Sequence, residues 1–489
     1  MAALSLQAQE ITPSDRPNKT QQLQAERGYG MFIHFGMNTF IEKEWSEGVE
    51  PASTYHPTAL DPDQWVRVAR DAGFRYVLLV TKHHDGFCLW DSKYTNYDVA
   101  SSPVPVDVVR GVSDACKKYG LKFAVYYSLW DRHEKSYQAA DFNEYIDFME
   151  NQLRELLTQY GEVCELWLDG GWDKPARMWQ IPRLYKMVKE LQPHCAFGVN
   201  NGVMLKGGED GGGFDSMANP DQMTDGYTNY LRYFPMDFRL ADPKIANKKD
   251  KKLYTVEGKQ YYLPFEHTIC VSRAWNWFQK ERAMEVRSLD ELEELFYWST
   301  ENGNSLVINV GPDRRGLIRA NEEDILVALK DRLGLKKGKP LPRNGEYLSV
   351  GVPAEASSSF SGDVKNYGPA WAVDGGMQTR WASGELTPEL VLDFDSEQEF
   401  NKISIFEYQD TKAGEDGFSN YRENRIKEYR IDIWKDNAWE NIYISSEPMG
   451  DCKLIHFPRN YKTTRLRFKV LRASDFPSIW EFNVIRMPE

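Results

Sequence analysis

From residue 26 to about 338, short apolar runs alternate with longer amphipathic segments. GMFIHF, YVLLV, KFAVYYS, CELWLDGG, CAFGVNN, YLPFEHTICV and SLVINVG read as buried strands. Between them PDQWVRVARDAG, SDACKKYG, DFNEYIDFMENQLRELLTQYG, WQIPRLYKMVKELQP, SLDELEELFYWSTENG and NEEDILVALKDRLG have helical spacing. Pro62 near the first turn and Gly73 at the end bound the first of these helices. Strand–helix alternation predicts a parallel sheet. The length of the region suits a (β/α)8-like TIM barrel with insertions. A doubly wound sheet is the rival, but no GxGxxG or GxxxxGK[ST] follows the early strands.

Lys336–Tyr347 is rich in Lys, Pro and Gly and reads as a linker. Beyond it the pattern shifts. ELVLDF, NKISIFEY, KEYRIDIWKD, AWENIYIS, CKLIHF, TTRLRFKVL and IWEFNVIR alternate apolar and polar residues between turn-like gaps, which predicts an all-β sandwich. The expected organisation is a leader over 1–25, a catalytic barrel over 26–338 and a sandwich over 339–489.

Composition narrows the function. The chain has 489 residues, a formal net charge of -13 and no stretch near 18 consecutive apolar residues. An acidic surface repels phosphate backbones, so nucleic acid is not an expected partner, and no membrane span is predicted. The six cysteines are scattered, without zinc spacing, and mostly within apolar runs, so they read as buried thiols. Aromatics make up 13% of the chain; flat rings with polar edges suit sugar binding as well as an ordinary core. The start, MAALSLQAQE, resembles the end of a secretory signal cleaved near Ala8-Gln9. A periplasmic or secreted location is therefore expected, with the cytoplasm left open. Oligomeric state is not legible.

In parallel barrels, chemistry collects at the C-terminal ends of strands. The residues ending the apolar runs are His34; His83, His84 and Asp85; Tyr126 and Tyr127; Asp169; Asn200 and Asn201; Glu266 with His267; and Asn309. Polar residues recurring at this position predict one shared pocket. Asp169 stands out, because two glycines follow it and would let a substrate approach the backbone. Consecutive strand residues face opposite ways, so His83 and His84 need a bend to share a site. HExxH and HxH are absent, and no metal is assigned. GxSxG is absent too, which argues against a serine hydrolase. Glycoside hydrolysis with two carboxylates fits better. Asp169 supplies one. Glu209 in KGGEDGGG and Glu266 in YLPFEHT are candidates for the other.

RGYGMFIHFGMNTF, EKEW, YVLLVTKHHDGFCLWDSKYTNYDV, FAVYYSLWDR, ELWLDGGW, PFEHTICVSRAWNW and ENGNSLVINVGPDRRG together resemble glycoside hydrolase family 29, the α-L-fucosidases. The resemblance implies a retaining exo-glycosidase that removes terminal α-L-fucosyl residues from glycans without a cofactor. It makes Asp169 the nucleophile. It puts His34, His83, His84, Tyr127 and Trp167 on substrate positions, Glu44 and Trp45 on a Glu-Trp contact, and Trp275 or Trp277 on the pocket lining. Glu209 has the spacing of the family's acid/base and is the first choice, with Glu266 as alternative or substrate contact. The segment between Asp215 and Tyr262 departs from the pattern, so the linkage stays open. So do an L- or D-galactoside as substrate and a catalytically weak carbohydrate-binding role. AWAVDGGMQTRWAS resembles discoidin-like, coagulation-factor-type C domains. That likeness implies a sandwich that binds carbohydrate or braces the barrel, with a structural Ca²⁺ as an option.

Overall fold

The computed structural model describes residues 11–171, 173–200, 203–205, 227–240, 247–248, 252–273, 275–279, 286–301, 303–377, 379–408, 410–413 and 420–488. The chain forms two compact units. The first comprises Met1–Ile245, Lys251–Val286 and Asn302–Leu341; the second comprises Ala246–Asp250, Arg287–Glu301 and Pro342–Glu489.

The first unit opens with α1 (Lys19–Arg27), β1 (Tyr29–Ile33) and α2 (Met37–Ile41), then α3 (Pro62–Asp71) and β2 (Tyr76–Lys82). α4 (Val108–Tyr119), β3 (Lys122–Ser128), α5 (Asn143–Gln159), β4 (Val163–Asp169), α6 (Ile181–Leu191) and β5 (Ala196–Val199) continue the alternation. Two antiparallel pairs follow, β6 (Val203–Leu205) with β7 (Tyr227–Leu231) and β8 (Leu253–Val256) with β9 (Lys259–Tyr262). β10 (Glu266–Cys270), β11 (Ser305–Val310) and α8 (Ala320–Leu333) complete the unit, and α7 (Leu289–Thr300) lies in the second. Local signals set the helix starts. The carboxylates of Asp61 and Asp107 accept from the amides of Gln64 and Arg110, and Pro62 is the first residue of α3.

Seven parallel strands lie side by side in the order β10-β11-β1-β2-β3-β4-β5. Residues 237–239 take the eighth place. The amide of Asp237 donates to Phe197 O on β5 at 2.8 Å, the amide of Arg239 donates to Pro264 O at 2.8 Å, and Glu266 N donates to Arg239 O at 2.9 Å. The expected (β/α)8-like barrel is thus present, its eighth stave short and irregular. Phe32, Leu78, Val80, Ala124, Tyr126, Trp167 and Val307 fill the barrel as one apolar cluster. All six cysteines are buried and unbridged. No helix among the described residues is long and apolar enough to cross a membrane.

The second unit is an antiparallel β-sandwich, as expected. Its strands are β12 (Glu346–Tyr347), β13 (Ala354–Ala356), β14 (Trp381–Ala382), β15 (Glu389–Glu407), β16 (Asp410–Ala413), β17 (Asn420–Glu423), β18 (Ile426–Lys435), β19 (Ala438–Ser445), β20 (Cys452–Ala473) and β21 (Ser478–Arg486). ELVLDF and NKISIFEY are two halves of β15, and CKLIHF and TTRLRFKVL two halves of β20. The β15–β20 register shifts between Asp393 and Gln398 and again between Phe400 and Lys402. Such shifts bend strands, which lets each long strand serve two layers. Helix α7 belongs here: the Lys402 ammonium donates to Glu293 at 3.0 Å and to Asn344 Oδ1 at 2.6 Å.

Candidate active site

Asp169 is the last residue of β4, at the C-terminal end of the barrel, and is nearly buried. Its Oδ1 accepts from the Gly170 amide at 2.8 Å and from Asn200 Nδ2 at 2.9 Å. Its Oδ2 accepts from the Tyr126 hydroxyl at 2.8 Å and lies 3.6 Å from His84 Nε2. Burial raises the carboxyl above its ordinary value, while these donors pull it back. Gly170 has φ +79°, and a Cβ there would lie 2.8 Å from Trp130 Cβ and 3.0 Å from the His84 ring. Only glycine fits that turn.

The two histidines share the pocket because β2 does not run straight through them. The β2–β3 register slips between Val80 and Lys82, and the chain then turns, with Gly86 N donating to His83 O at 3.1 Å. His84 faces Asp169. His83 packs 5.4 Å from the Trp277 ring and 6.0 Å from His34. His34 sits 4.9 Å from Trp277 and 5.3 Å from Trp275, so both tryptophans line this corner.

Burial keeps all three imidazoles neutral. It is the largest cause of the low pKa at His34 and His83, and at His84 burial, then the Arg132 charge, push it down to about 3. The hydrogen bonds then fix which nitrogen carries the proton. Ser128 donates its hydroxyl hydrogen to Trp130 O at 2.6 Å, so its oxygen accepts from His84 Nδ1 at 2.6 Å. His84 Nε2 therefore turns a lone pair toward Asp169 Oδ2. By the same logic His34 Nδ1 donates to Asn309 Oδ1 at 2.6 Å, leaving Nε2 as an acceptor. Among the described residues the buried Nδ1 of His83 and Nε1 of Trp277 have no hydrogen-bond partner. The pocket thus offers bare donors and acceptors suited to hydroxyl groups.

Glu44 follows α2. Asn38 Nδ2 fixes its backbone, donating to Glu44 O at 2.6 Å. Burial, opposed by a Trp275 hydrogen bond and assisted by the Asp169 charge, pushes its carboxyl up to about 7. Trp45 is 47% exposed, with its ring 6.5 Å from His84. Trp167 lies deeper, stacked 5.2 Å from Tyr126.

Two expected site residues lie elsewhere. Tyr127 points to the outer face of β3, where its hydroxyl bonds Gln152 Oε1 at 2.7 Å and accepts from Lys82 Nζ at 2.8 Å. Strand alternation sends its neighbour Tyr126 inward instead. Glu266 opens β10 rather than ending it, and so sits at the opposite end of the barrel from Asp169. It accepts from Tyr76 at 2.9 Å and Ser305 at 3.1 Å, each the first residue of its strand, and from Trp167 Nε1 at 3.1 Å. Its carboxyl is raised by burial and couples to Glu165. Glu165 precedes Asp169 on β4 by about 13 Å of extended chain. A retaining pair needs roughly 5–5.5 Å. Glu266 is thus a carboxylate of the barrel floor, not the proton donor to Asp169's substrate. Glu209 lies outside the described residues.

Strand-end reading had reached Tyr126, Asn200 and Asn309 without assigning them roles. Ser128 and Trp130 it missed; the parity of β3, with Ala124 and Tyr126 inside, predicts Ser128 inside as well. Among the described residues no group of three His, Cys, Asp or Glu is arranged to hold a metal ion.

Residues 3–335 match the family model described as Alpha-L-fucosidase, and residues 353–482 match that of the F5/8 type C domain. The chain is 29% identical to Alpha-L-fucosidase 1 of Arabidopsis thaliana over 94% of its own length and 85% of that protein. A glycoside hydrolase 29 family member from an unknown rumen bacterium superposes with a TM-score of 0.56 at 25% identity, covering 98% of this chain and 78% of that one. A Ruminococcus gnavus GH29 fucosidase solved in complex with fucose shares the fold, with TM-score 0.51, 22% identity and coverage of 99% and 98%.

Proposed function

The chain belongs to the alpha-L-fucosidase family of glycoside hydrolases, and we propose that it releases terminal α-L-fucose from glycans by a retaining mechanism centred on Asp169. The observation that carries this is the buried Asp169 carboxylate at a strand end, held by Tyr126, Asn200 and Gly170 amid neutral imidazoles. Oδ2, which takes one of these three donors, attacks C1 of the sugar, and the C1–O bond to the aglycone breaks. An acid/base protonates the departing oxygen. It then removes a proton from water, which attacks C1 and frees Asp169. Glu209, by its spacing and its GGED setting, is our choice for that group. Glu44, His34, His83, His84 and Trp277 hold the sugar hydroxyls, and the tryptophan faces supply an apolar wall. No cofactor enters these steps.

Azide rescue tests both assignments at once. Asp169→Ala should lose turnover of an aryl α-L-fucoside, and added azide should give the β-fucosyl azide, inverted. Glu209→Ala should give the α-azide, retained, while Glu44→Gln should not be rescued. A retained product from the Asp169 variant would end the nucleophile assignment. Aryl L- and D-galactosides run alongside decide the sugar.

In the sandwich, we propose a structural Ca²⁺ at the 374–379 turn. Its residues offer hard oxygens: the Asp374 carboxylate accepts from the Thr379 hydroxyl at 2.5 Å, and the buried Glu481 of β21 accepts from Gly375 N at 3.2 Å. With only two carboxylates, a six- to eight-oxygen shell draws on hydroxyl and backbone oxygens. The ion would fasten the turn to β21.

A further inference from the structure

Outward from Asp169 the pocket changes character. Next to the carboxylate come neutral histidines and buried indoles. Beyond His84 stand two tryptophans that are not buried. Trp130 lies 5.4 Å from the His84 ring and Trp45 lies 6.5 Å from it. The two indoles are 6.1 Å apart at 66°, so they form a corner. An exposed indole at the mouth of a polar pocket is costly unless something covers it.

The corner is rigid. Arg132 lies 4.1 Å over the Trp130 ring and donates to Ser46 O at 3.0 Å and to Glu47 Oε1 at 2.6 Å. His133 Nδ1 bonds Gly48 O at 2.7 Å, and the Arg132 amide donates to His84 O at 3.0 Å. Gly48 has φ +67°, and a Cβ on it would come within 2.8 Å of Arg132 C and His133 N. The loops after β1 and β3 are therefore clamped into one lip. Trp130 also packs on the Gly170 turn directly after Asp169, so the lip and the nucleophile share one support. Such preorganisation lowers the entropic cost of binding.

We propose that Trp130 and Trp45 form the subsite for the sugar that carries the fucosyl group. Resting on the fucosidase reading above, this assigns the occupant as a neutral pyranose that lays a C–H face on an indole. The chemistry selects it. Indoles offer flat apolar faces with one donor edge, and the one guanidinium at the corner is engaged by Ser46 and Glu47, so the lip reads shape rather than charge.

The test compares a substrate that fills this subsite with one that does not. α-L-Fucosyl fluoride loses only fluoride, whereas a fucosylated trisaccharide places a sugar on the lip. Trp130→Ala should lower kcat/KM for the trisaccharide about tenfold more than for the fluoride, with Trp45→Ala in the same direction and Trp130→Phe between. Trp130→Phe guards against loss of folding in the alanine variant. Equal losses on both substrates would overturn the proposal. Turnover of the fluoride by wild type reports on the fucosidase reading separately. Indole fluorescence of Asp169→Ala, titrated with the trisaccharide, reads the subsite without turnover. Quenching that persists unchanged in Asp169→Ala/Trp130→Phe would count against it.

Discussion

The Tyr126 hydroxyl donates to Asp169 Oδ2 at 2.8 Å, while one residue along the same strand Tyr127 bonds Gln152 on the opposite face. The pair separates a site role from a structural one. Tyr126 favours the charged form of Asp169 and holds its pKa down against burial. Without that donor the charged form is less stable and the pKa rises. Tyr126→Phe should move the acid limb of the kcat/KM–pH profile upward by about one pH unit, since a hydrogen bond to a charge is worth roughly 1.5–3 kcal/mol. Tyr127→Phe should leave that limb in place and lower Tm. Asn200→Ala should act as Tyr126→Phe does. A limb that stays put in both site variants would exclude the donors from tuning Asp169.

Gly170→Ala asks for a side chain at φ +79° with 2.8 Å to Trp130 Cβ. The turn must shift, and Asp169 and Trp130 shift with it. A misplacement near 1 Å costs on the order of a hundredfold. Fucoside turnover should fall by about that factor, with a folded circular-dichroism spectrum.

The eighth stave depends on a buried ion pair. Lys189 Nζ donates to Asp237 Oδ2 at 2.6 Å, and the Phe197 amide donates to the same oxygen at 2.8 Å. Asp237→Ala strands a buried ammonium and should cost about 3–5 kcal/mol in denaturant unfolding. Asp237→Ala/Lys189→Met should recover part of the loss. Equal stability of single and double variants would show that the pair does not hold the stave.

Chelation tests the sandwich turn. EDTA should lower the unfolding temperature of the full chain, and added Ca²⁺ should restore it. Asp374→Ala should abolish the response. A Tm indifferent to both would remove Ca²⁺ from the turn.

Much was legible from order alone. Alternation of strand-like and helical runs gave the barrel, and the period-2 runs beyond residue 340 gave the sandwich, because those periodicities reflect which faces are buried. Asp169 was legible as an acid at the end of an apolar run before two glycines. Tyr127 and Glu266 were not, for separate reasons. Choosing Tyr126 over Tyr127 requires knowing which face of β3 is the barrel interior. Glu266 follows an apolar stretch that looks like a strand, but the strand begins at Glu266, because the preceding residues bond to 237–239 instead.

By itself, then, the sequence determined the periodicities and therefore the layers, and it determined which side chains with useful chemistry exist. Those properties are local and are written in spacing. Direction and company were decided only by the tertiary structure. The register slip at Thr81 brings both histidines inward, the lone pair of His84 is aimed by Ser128 on the neighbouring strand, and the loops bearing Trp45 and Trp130 meet across an arginine. Each of these depends on contacts between residues far apart in the chain, and no local pattern encodes them.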